Sequence, residues 1–174
     1  RNHAGEPVIG VKVNFTHSPG LTVTDSKGRY SRQLVSGWSG TITPEKTGYV
    51  FAPNYRKYNT LEVDLKNQDY VGIPVVLITL EVQRKSEKSW LLSKEYGLIK
   101  VNVLRAEPVE RFVVSRCCGD DEFSDLAELD PAQLVEGLCL YYDFAIESGR
   151  SYTYKVRALY QGGMVIGSSD SKSL

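Results

Sequence analysis

The sequence predicts an all-β chain of two tandem immunoglobulin-like β-sandwich domains. Short runs of alternating apolar and polar residues recur along its 174 residues, and turn-forming Gly, Pro, Asp and Asn separate them. No apolar run reaches the ~18 residues that a membrane-spanning helix needs. Only residues 130–137 favour a helix, because Asp130 can cap it and Pro131 suits its first turn, and it would be short.

The first domain is predicted over residues 1–73 as a series of short strands. Apolar Val11, Val13 and Phe15 alternate with polar residues, which indicates one buried and one solvated face. A turn at residues 25–28 should close a hairpin, since Asp starts such turns and glycine adopts positive φ readily. Strands are expected at 11–15, 21–24, 29–31, 41–43, 49–51, 61–65 and 68–71.

Pro74 predicts the domain boundary, because proline cannot donate a hydrogen bond to a central ladder. The second domain then covers residues 74–174, with a long approach to its second strand at residues 86–96. The number of strands in about a hundred residues is typical of an immunoglobulin-like sandwich. Strands are expected at 78–82, 98–104, 111–117, 122–129, 138–143, 152–160 and 164–168.

Composition and motifs argue against catalysis. Acidic and basic residues balance at 21 each, so no net field favours nucleic acid or an anionic membrane. His3 and His17 have no partner at metal or triad spacing, and phosphate-binding glycine loops are missing. The stretch 37–40, Gly-Trp-Ser-Gly, lacks the context of a serine elbow and is interpreted as a turn. We therefore expect no enzyme and no cofactor.

Two small groups of residues leave alternatives open. Either Cys117 or Cys118 could bridge to Cys139 if their Cα atoms approach within ~7 Å, or Cys139 could be a small buried apolar residue. The acids of one turn could hold calcium, although a solvated hairpin tip explains them as well. These calcium candidates are Asp120, Asp121, Glu122 and Asp125.

Aromatic side chains suggest a sugar-binding surface, since flat sugar faces pack on rings. The opposing interpretation is that such residues form the core of small domains. The residues considered for a stacking platform are Trp38, Tyr49, Tyr55, Tyr58, Trp90 and Tyr96.

Residues 5–73 resemble the carboxypeptidase-regulatory-like, or Cna-B-like, β-sandwich repeat of bacterial surface proteins. Trp38, Tyr49 and Phe51 would supply the apolar area that such a small domain needs. Some Cna-B-like domains crosslink a Lys to an Asn, but Lys12 and Asn14 are expected to point outward, away from the dry site this requires. The matching stretches are 5–13, 24–30, 37–44 and 48–53.

Residues 76–170 resemble a fibronectin type III module, on the stretches 111–116, 141–143 and 149–158. The resemblance implies that Tyr152 is a tyrosine corner, with Tyr154 and Val156 on the same inward face. The strand-B tryptophan of that family is missing, and Trp90 is expected to fill part of the core instead.

The chain begins at Arg1 without an initiator Met or signal peptide, which suggests a piece of a longer protein. The resemblances imply a non-catalytic structural, spacer or assembly module of a bacterial extracellular or cell-surface protein, with a surface-filament subunit as a variant. Expected partners are other domains of the same polypeptide or neighbouring copies in an extracellular assembly, with a glycan as an open alternative and without nucleic acid or membrane insertion. The alternative is a carbohydrate-binding accessory module of a secreted hydrolase.

Overall fold

The computed structural model describes residues 1–90 and 93–174. Contacts divide the chain into two compact units, unit 1 spanning Arg1–Val75 and unit 2 spanning Val76–Leu174. The described elements are β-strands and short 3₁₀ turns, so the predicted all-β class is confirmed. Among these residues, no helix is long and apolar enough to span a bilayer.

Unit 1 is built from short antiparallel strands. They are β1 (Lys12–Phe15), β2 (Leu21–Val23), β3 (Trp38–Glu45), β4 (Tyr49–Ala52), β5 (Arg56–Leu61) and β6 (Val71–Pro74). One sheet has the order β2-β1-β3-β5, and β4 pairs with β6 in a second sheet. The core lies on one face of β1 and β3, because side chains alternate between faces along a strand.

The alternation in β1 is as the sequence predicts. Val11, Val13 and Phe15 are buried, whereas Lys12 is exposed. The amide nitrogen of Asn14 donates to Glu45 Oε2 on the neighbouring strand, at 3.3 Å. Because Lys12 is solvated, this group does not form the dry site that a Lys–Asn crosslink needs.

Three strand predictions in unit 1 are wrong, and the strand expected at 68–71 instead lies at Val71–Pro74. Residues 29–31 form no strand, and β2 pairs with β1 instead. The chain after β2 forms a turn closed by the Asp25 carboxylate, which accepts hydrogen bonds from the backbone N–H groups of Lys27 and Arg29. The strand expected at 61–65 instead lies earlier, as β5, and ends at Leu61. Thr60 adopts φ of 50°, a left-handed conformation that is rare in regular strands.

Unit 2 contains a second set of antiparallel strands. They are β7 (Ile78–Lys88), β8 (Ser93–Val103), β9 (Arg111–Cys118), β10 (Ser124–Leu129), β11 (Leu138–Asp143), β12 (Tyr152–Tyr160), β13 (Met164–Ser168) and β14 (Lys172–Ser173). One sheet has the order β10-β9-β12-β13, with β14 also paired to β12, and the other has the order β11-β8-β7.

The predicted long approach at residues 86–96 is part of a β-hairpin. Strands β7 and β8 pair without interruption from Ile78 opposite Val103 to Lys88 opposite Ser93. Buried residues occur only in the first part of β7, and the strand is exposed from Lys85 onward. The hairpin therefore extends beyond the apolar core of the unit.

The short helical segment is a single 3₁₀ turn at Pro131–Gln133. Asp130 caps it, since its side chain accepts from Ala132 N at 2.8 Å and its own N–H donates to Gln133 Oε1 at 3.3 Å. This capping box agrees with the predicted role of Asp130, but the turn does not continue into an α-helix.

Candidate functional site

The core of unit 2 contains a charged network that joins its two sheets. Asp143 on β11 is 2% exposed, and its Oδ2 accepts from Arg116 Nη1 at 2.6 Å and from the Tyr154 hydroxyl at 2.8 Å. Its Oδ1 accepts from Ala145 N at 2.9 Å. Both carboxylate oxygens are thus engaged, as a buried charge requires.

Sequence features of this region make room for the network. Gly97 lies opposite Asp143 in the sheet, and a Cβ there would come within 3.0 Å of the Tyr154 hydroxyl. Burial, and then the Asp143 carboxylate, raise the pKa of Tyr154 above its ordinary value. Although burial alone lowers the pKa of Arg116, its hydrogen bond to Asp143 raises it overall. The tyrosine stays protonated and the arginine charged.

The side chain expected at the tyrosine corner ties a loop to the sheet. The hydroxyl of Tyr152 accepts from Glu147 N, five residues upstream, at 3.1 Å. Arg116 lies over the Tyr152 ring, with its guanidinium carbon 5.0 Å from the ring centroid. Tyr152, Tyr154 and Val156 are all buried along the inward face of β12.

The structure does not bring the calcium candidates together. Asp120, Asp121 and Glu122 are exposed in the turn after β9. Asp125 lies on β10, where its Oδ1 accepts from Ser115 at 2.8 Å and from Arg157 at 2.5 Å. The hydrogen bond from Ser115, with a lesser one from Arg157, lowers the pKa of Asp125, although desolvation opposes them. Within the described ranges no group of acids, cysteines and histidines could hold a metal ion.

The disulfide bridge that the sequence left open as one alternative is not formed. All three cysteines, Cys117, Cys118 and Cys139, are free thiols. Cys117 and Cys118 end β9 in one sheet, whereas Cys139 lies on β11 in the other. Cys117 alternates with Arg116, which faces the sheet of Cys139, and so Cys117 faces away from that sheet. Cys139 is buried, in agreement with its alternative interpretation as a small apolar residue.

In unit 1, the interpretation of the Gly-Trp-Ser-Gly stretch as a turn is wrong beyond Gly37, because strand β3 begins at Trp38 and the stretch is a packing motif. Trp38 is 4% exposed and donates from Nε1 to Thr16 O at 3.0 Å. A Cβ on Gly40 would overlap the Trp38 ring, so only glycine fits there. Ser39 Oγ accepts from Thr60 N at 2.8 Å, and its lone pair is therefore used in the fold. Phe51 is also buried, and Tyr49 is partly buried against the same cluster.

A groove of about 1220 Å³ lies in unit 1 between the sheet and the irregular segments around residues 24–36 and 61–70. The tyrosine hydroxyls beside it bind the surrounding chain: Tyr30 donates to Gln68 O at 2.7 Å and Tyr70 donates to Ile42 O at 3.1 Å. Burial raises the pKa of Tyr30 to about 12 and that of Tyr70 further above its ordinary value. These polar groups hold the segments in place.

The six aromatic residues considered for a sugar platform are divided between the two units and differ in exposure. Trp38 is buried in unit 1, Tyr55 is 53% exposed there, and Tyr49 and Tyr58 are partly buried. Trp90 is 91% exposed, so the expectation that it fills the core of unit 2 is wrong. The hairpin carries it beyond the apolar interior.

Tyr96, in contrast, belongs to an aromatic cluster on the outer side of the β11-β8-β7 sheet. Its ring centroid lies 6.0 Å from that of Tyr142 and 5.4 Å from that of Phe144. The rings of Tyr142 and Phe144 are nearly parallel, with 10° between their planes and 6.1 Å between their centroids. We call these three residues the aromatic face.

Sequence reasoning missed Tyr142 and Phe144. A signal was present, because Tyr142 and Phe144 alternate with Tyr141 and Asp143, which indicates that Tyr142 on β11 and Phe144, the residue after it, point outward. Their proximity to Tyr96 depends on the pairing of β11 with β8, in which Tyr142 lies opposite Leu98. That register is a tertiary feature that a local pattern does not encode.

Comparison with known proteins gives only weak similarities. No protein-family model matches the chain, and no curated protein matches it. A pectate lyase of Erwinia chrysanthemi, solved with tetragalacturonic acid, is similar at 18% identity and TM-score 0.41 over 56% of this chain and 28% of that chain. A Bacteroides uniformis protein named for a proposed carbohydrate-binding role is similar at 11% identity and TM-score 0.36, over 98% and 89%. Similarities this weak carry no argument about function.

Proposed function

We propose that the chain is a non-catalytic structural module of a bacterial extracellular or cell-surface protein, where it acts as a spacer or as a building block of an assembly. The observation that carries this proposal is common to both units. In each one, the segment that enters the unit is hydrogen-bonded to a strand near its exit. Such bonds resist separation of the two ends, which is what a spacer under tension requires.

In unit 1 the bonded segments run parallel. Asn2 pairs with Gly72 in a parallel bridge, and Gly72 N donates to Arg1 O at 2.7 Å. The amino group of Arg1 adds a bond of 3.2 Å to Tyr70 O. Because the two segments run parallel, pulling their outer ends apart loads these bonds together in shear. In this geometry the hydrogen bonds share the applied force, whereas bonds pulled apart from one end would break in sequence.

In unit 2 the entering residue bonds to β13. Val76 N donates to Ile166 O at 2.8 Å. A Cβ on the next residue of that strand, Gly167, would overlap the carbonyl oxygen of Val76, so glycine permits this close approach. The N-terminal segment of the unit is thereby fastened beside its penultimate strand.

The state of the interior polar groups favours a structural role over catalysis. Asp143, Arg116 and Tyr154 bind one another within the core of unit 2, and Tyr70 and Trp38 of unit 1 donate to backbone carbonyls. Groups used in this way stabilise the fold and are not poised to react with a substrate. A hydrolytic or transfer activity of the purified chain would overturn this part of the proposal.

We also propose a domain family for each unit, on the basis of the two resemblances. The order β11-β8-β7 against β10-β9-β12-β13, together with the Tyr152 hydroxyl bond, supports a fibronectin type III-like unit 2. The Trp38 packing motif and the two-sheet arrangement support a Cna-B-like unit 1. Both kinds of domain would place the protein outside the cell.

Single-molecule force spectroscopy on the intact chain tests the spacer role. Two unfolding events are expected for each molecule, one for each unit. Deleting Arg1 and Asn2 removes the parallel bridge and should lower the unfolding force of unit 1 alone, while the event from unit 2 serves as the internal control. Unchanged forces after the deletion would reject the mechanical role of the bridge.

Sedimentation velocity and negative-stain imaging separate the two forms of the proposal. A monodisperse monomer over the accessible concentration range supports a spacer and excludes the filament variant. Concentration-dependent polymers support an assembly subunit.

A further inference from the structure

The groove of unit 1 has two walls of opposite charge. One wall, residues 24–36, carries three bases and one acid, and the other, residues 61–70, carries one base and three acids. We call them the basic wall and the acidic wall. The charged residues are Asp25, Lys27, Arg29 and Arg32 on the basic wall and Glu62, Asp64, Lys66 and Asp69 on the acidic wall.

These charges form no ion pairs within the part of the chain that the structure describes. Every ion pair there joins two side chains of unit 2. The charged residues of both walls are exposed, except for Arg32, which is partly buried. The Asp25 carboxylate accepts from backbone N–H groups of its own turn. The remaining charges on both walls are therefore available to a partner.

Exposed apolar side chains lie among these charges at the edge of the groove. Val63 and Leu65 on the acidic wall are 69% and 43% exposed, and Val35 on the basic wall is 75% exposed. Apolar and charged residues alternate over residues 61–65, which is the pattern of a segment with one covered side. Neither side of this segment is buried in the single chain. A partner that covers the apolar side would supply the burial that the pattern indicates.

A second copy of the same surface is complementary to it. Under a two-fold axis the basic wall of one copy lies against the acidic wall of the other, and the reverse contact forms at the same time. Opposite charges then face each other twice, which favours this partner and this orientation. The two walls contain roughly two dozen residues, comparable to the ~20–30 residues on each side of a standard interface.

We propose that the chain forms a two-fold dimer through the two walls of the unit 1 groove. Lys27 and Arg29 of one copy pair with acids on the acidic wall of the other. Val63 and Leu65 are covered between the two copies. This inference names the partner for the assembly form of the proposed function, and it rests on that form.

Sedimentation velocity of the intact chain over a concentration series tests the proposal. A monomer–dimer equilibrium is expected. Its dissociation constant should rise at least tenfold between about 50 mM and about 500 mM salt, because salt screens exposed charges. Hydrogen exchange should show protection of residues 24–36 and 61–70 only at concentrations where the dimer is populated.

Charge reversal locates the contact. Lys27→Glu with Arg29→Glu, the basic-wall variant, makes both walls acidic and should weaken the dimer at least tenfold. Glu62→Lys with Asp64→Lys, the acidic-wall variant, makes both walls basic and should weaken it equally. A control variant reverses two exposed bases of unit 1 that do not line the groove and should dimerise like the unmodified chain. Its substitutions are Lys12→Glu and Lys57→Glu.

Two rescue experiments separate a lost contact from a lost fold. An equimolar mixture of the basic-wall and acidic-wall variants should form a dimer, because an acidic groove then faces a basic one. The chain that carries all four substitutions should dimerise with itself again, since each reversed wall meets its reversed partner.

Three results would overturn the proposal. The first is a monomer at every accessible concentration, which would leave the spacer form of the proposed function standing. The second is that the basic-wall variant, folded as judged by its thermal transition, self-associates like the unmodified chain. Assembly would then stand but use another contact. The third is that neither rescue restores the dimer, although the variants are folded.

Discussion

The hydroxyl of Tyr154 donates a 2.8 Å hydrogen bond to the carboxylate of Asp143, and this bond joins the two sheets of unit 2 inside their shared core. Tyr154 is fully buried, and Asp143 also forms a salt bridge with Arg116, with 2.6 Å between Oδ2 and Nη1. A carboxylate in this position depends on each donor, because burial without hydrogen bonds is costly.

Removing the hydroxyl should therefore destabilise unit 2. Tyr154→Phe keeps the ring but leaves Asp143 with one donor fewer, and we expect a loss of about 1.5–3 kcal/mol in the free energy of unfolding. Urea denaturation measures it. Tyr142→Phe, at an exposed ring of the same unit, should change that free energy by no more than about 0.5 kcal/mol. Equal effects of the two substitutions would contradict the role given to Asp143.

The two tryptophans provide a second contrast. Trp38→Ala removes a buried indole and its bond to Thr16 O, and should cost about 3–5 kcal/mol in the unfolding of unit 1. Trp90→Ala should lie within about 0.5 kcal/mol of the unmodified chain, because the side chain is 91% exposed. A large loss at Trp90 would instead support the original expectation that it packs in the core.

Alkaline pH should weaken unit 1 through Tyr30. Burial raises its pKa from 10.0 to about 12 in the folded state. Its contribution is complete below pH 10, where both states are protonated, and is lost between pH 10 and 12, because the unfolded chain ionises first. Thermal unfolding across this range, with tyrosinate absorbance, measures the effect. Tyr30→Phe should show a shallower decline, and an identical decline in both proteins would refute the assignment.

The thiols should behave as three free cysteines. Alkylation of the unfolded chain without reductant should modify Cys117, Cys118 and Cys139, and mass spectrometry counts the adducts. In the folded chain Cys118, which is partly exposed, should react first. Cys139 should react slowly, since burial raises the pKa of its thiol. A mass lower by two hydrogens, with two cysteines unmodified, would instead support the disulfide alternative.

Local patterns were sufficient where one face of a strand is buried. The alternation around Val13 predicts β1 and its buried side, and the Tyr152–Val156 pattern predicts the inward face of β12. The same reasoning failed at residues 61–65, where apolar and polar residues alternate without a strand. There β5 ends at Leu61, one residue after the left-handed backbone at Thr60 and next to a register shift in its pairing with β3, and no composition signal marks a non-glycine residue for that conformation.

The candidate site was less accessible to sequence reasoning than the fold. Tyr96 was considered for a stacking platform, but its partners Tyr142 and Phe144 lie more than forty residues away along the chain. The pairing of β8 with β11 makes them neighbours. A shift of that register by one residue would turn Tyr142 to the opposite side of the sheet and remove the aromatic face.

The sequence by itself determined the all-β class and which side of the best-patterned strands is buried, because the two-residue period of a strand is a local property. Tertiary structure decided the rest. It set Arg116 against Asp143 across a core, kept Cys117 in a different sheet from Cys139, and carried Trp90 into solvent. These outcomes depend on which strands pair and in what register. The free energy of such pairing depends on residues of both strands, which are distant in the sequence, and a local pattern in one strand does not contain it.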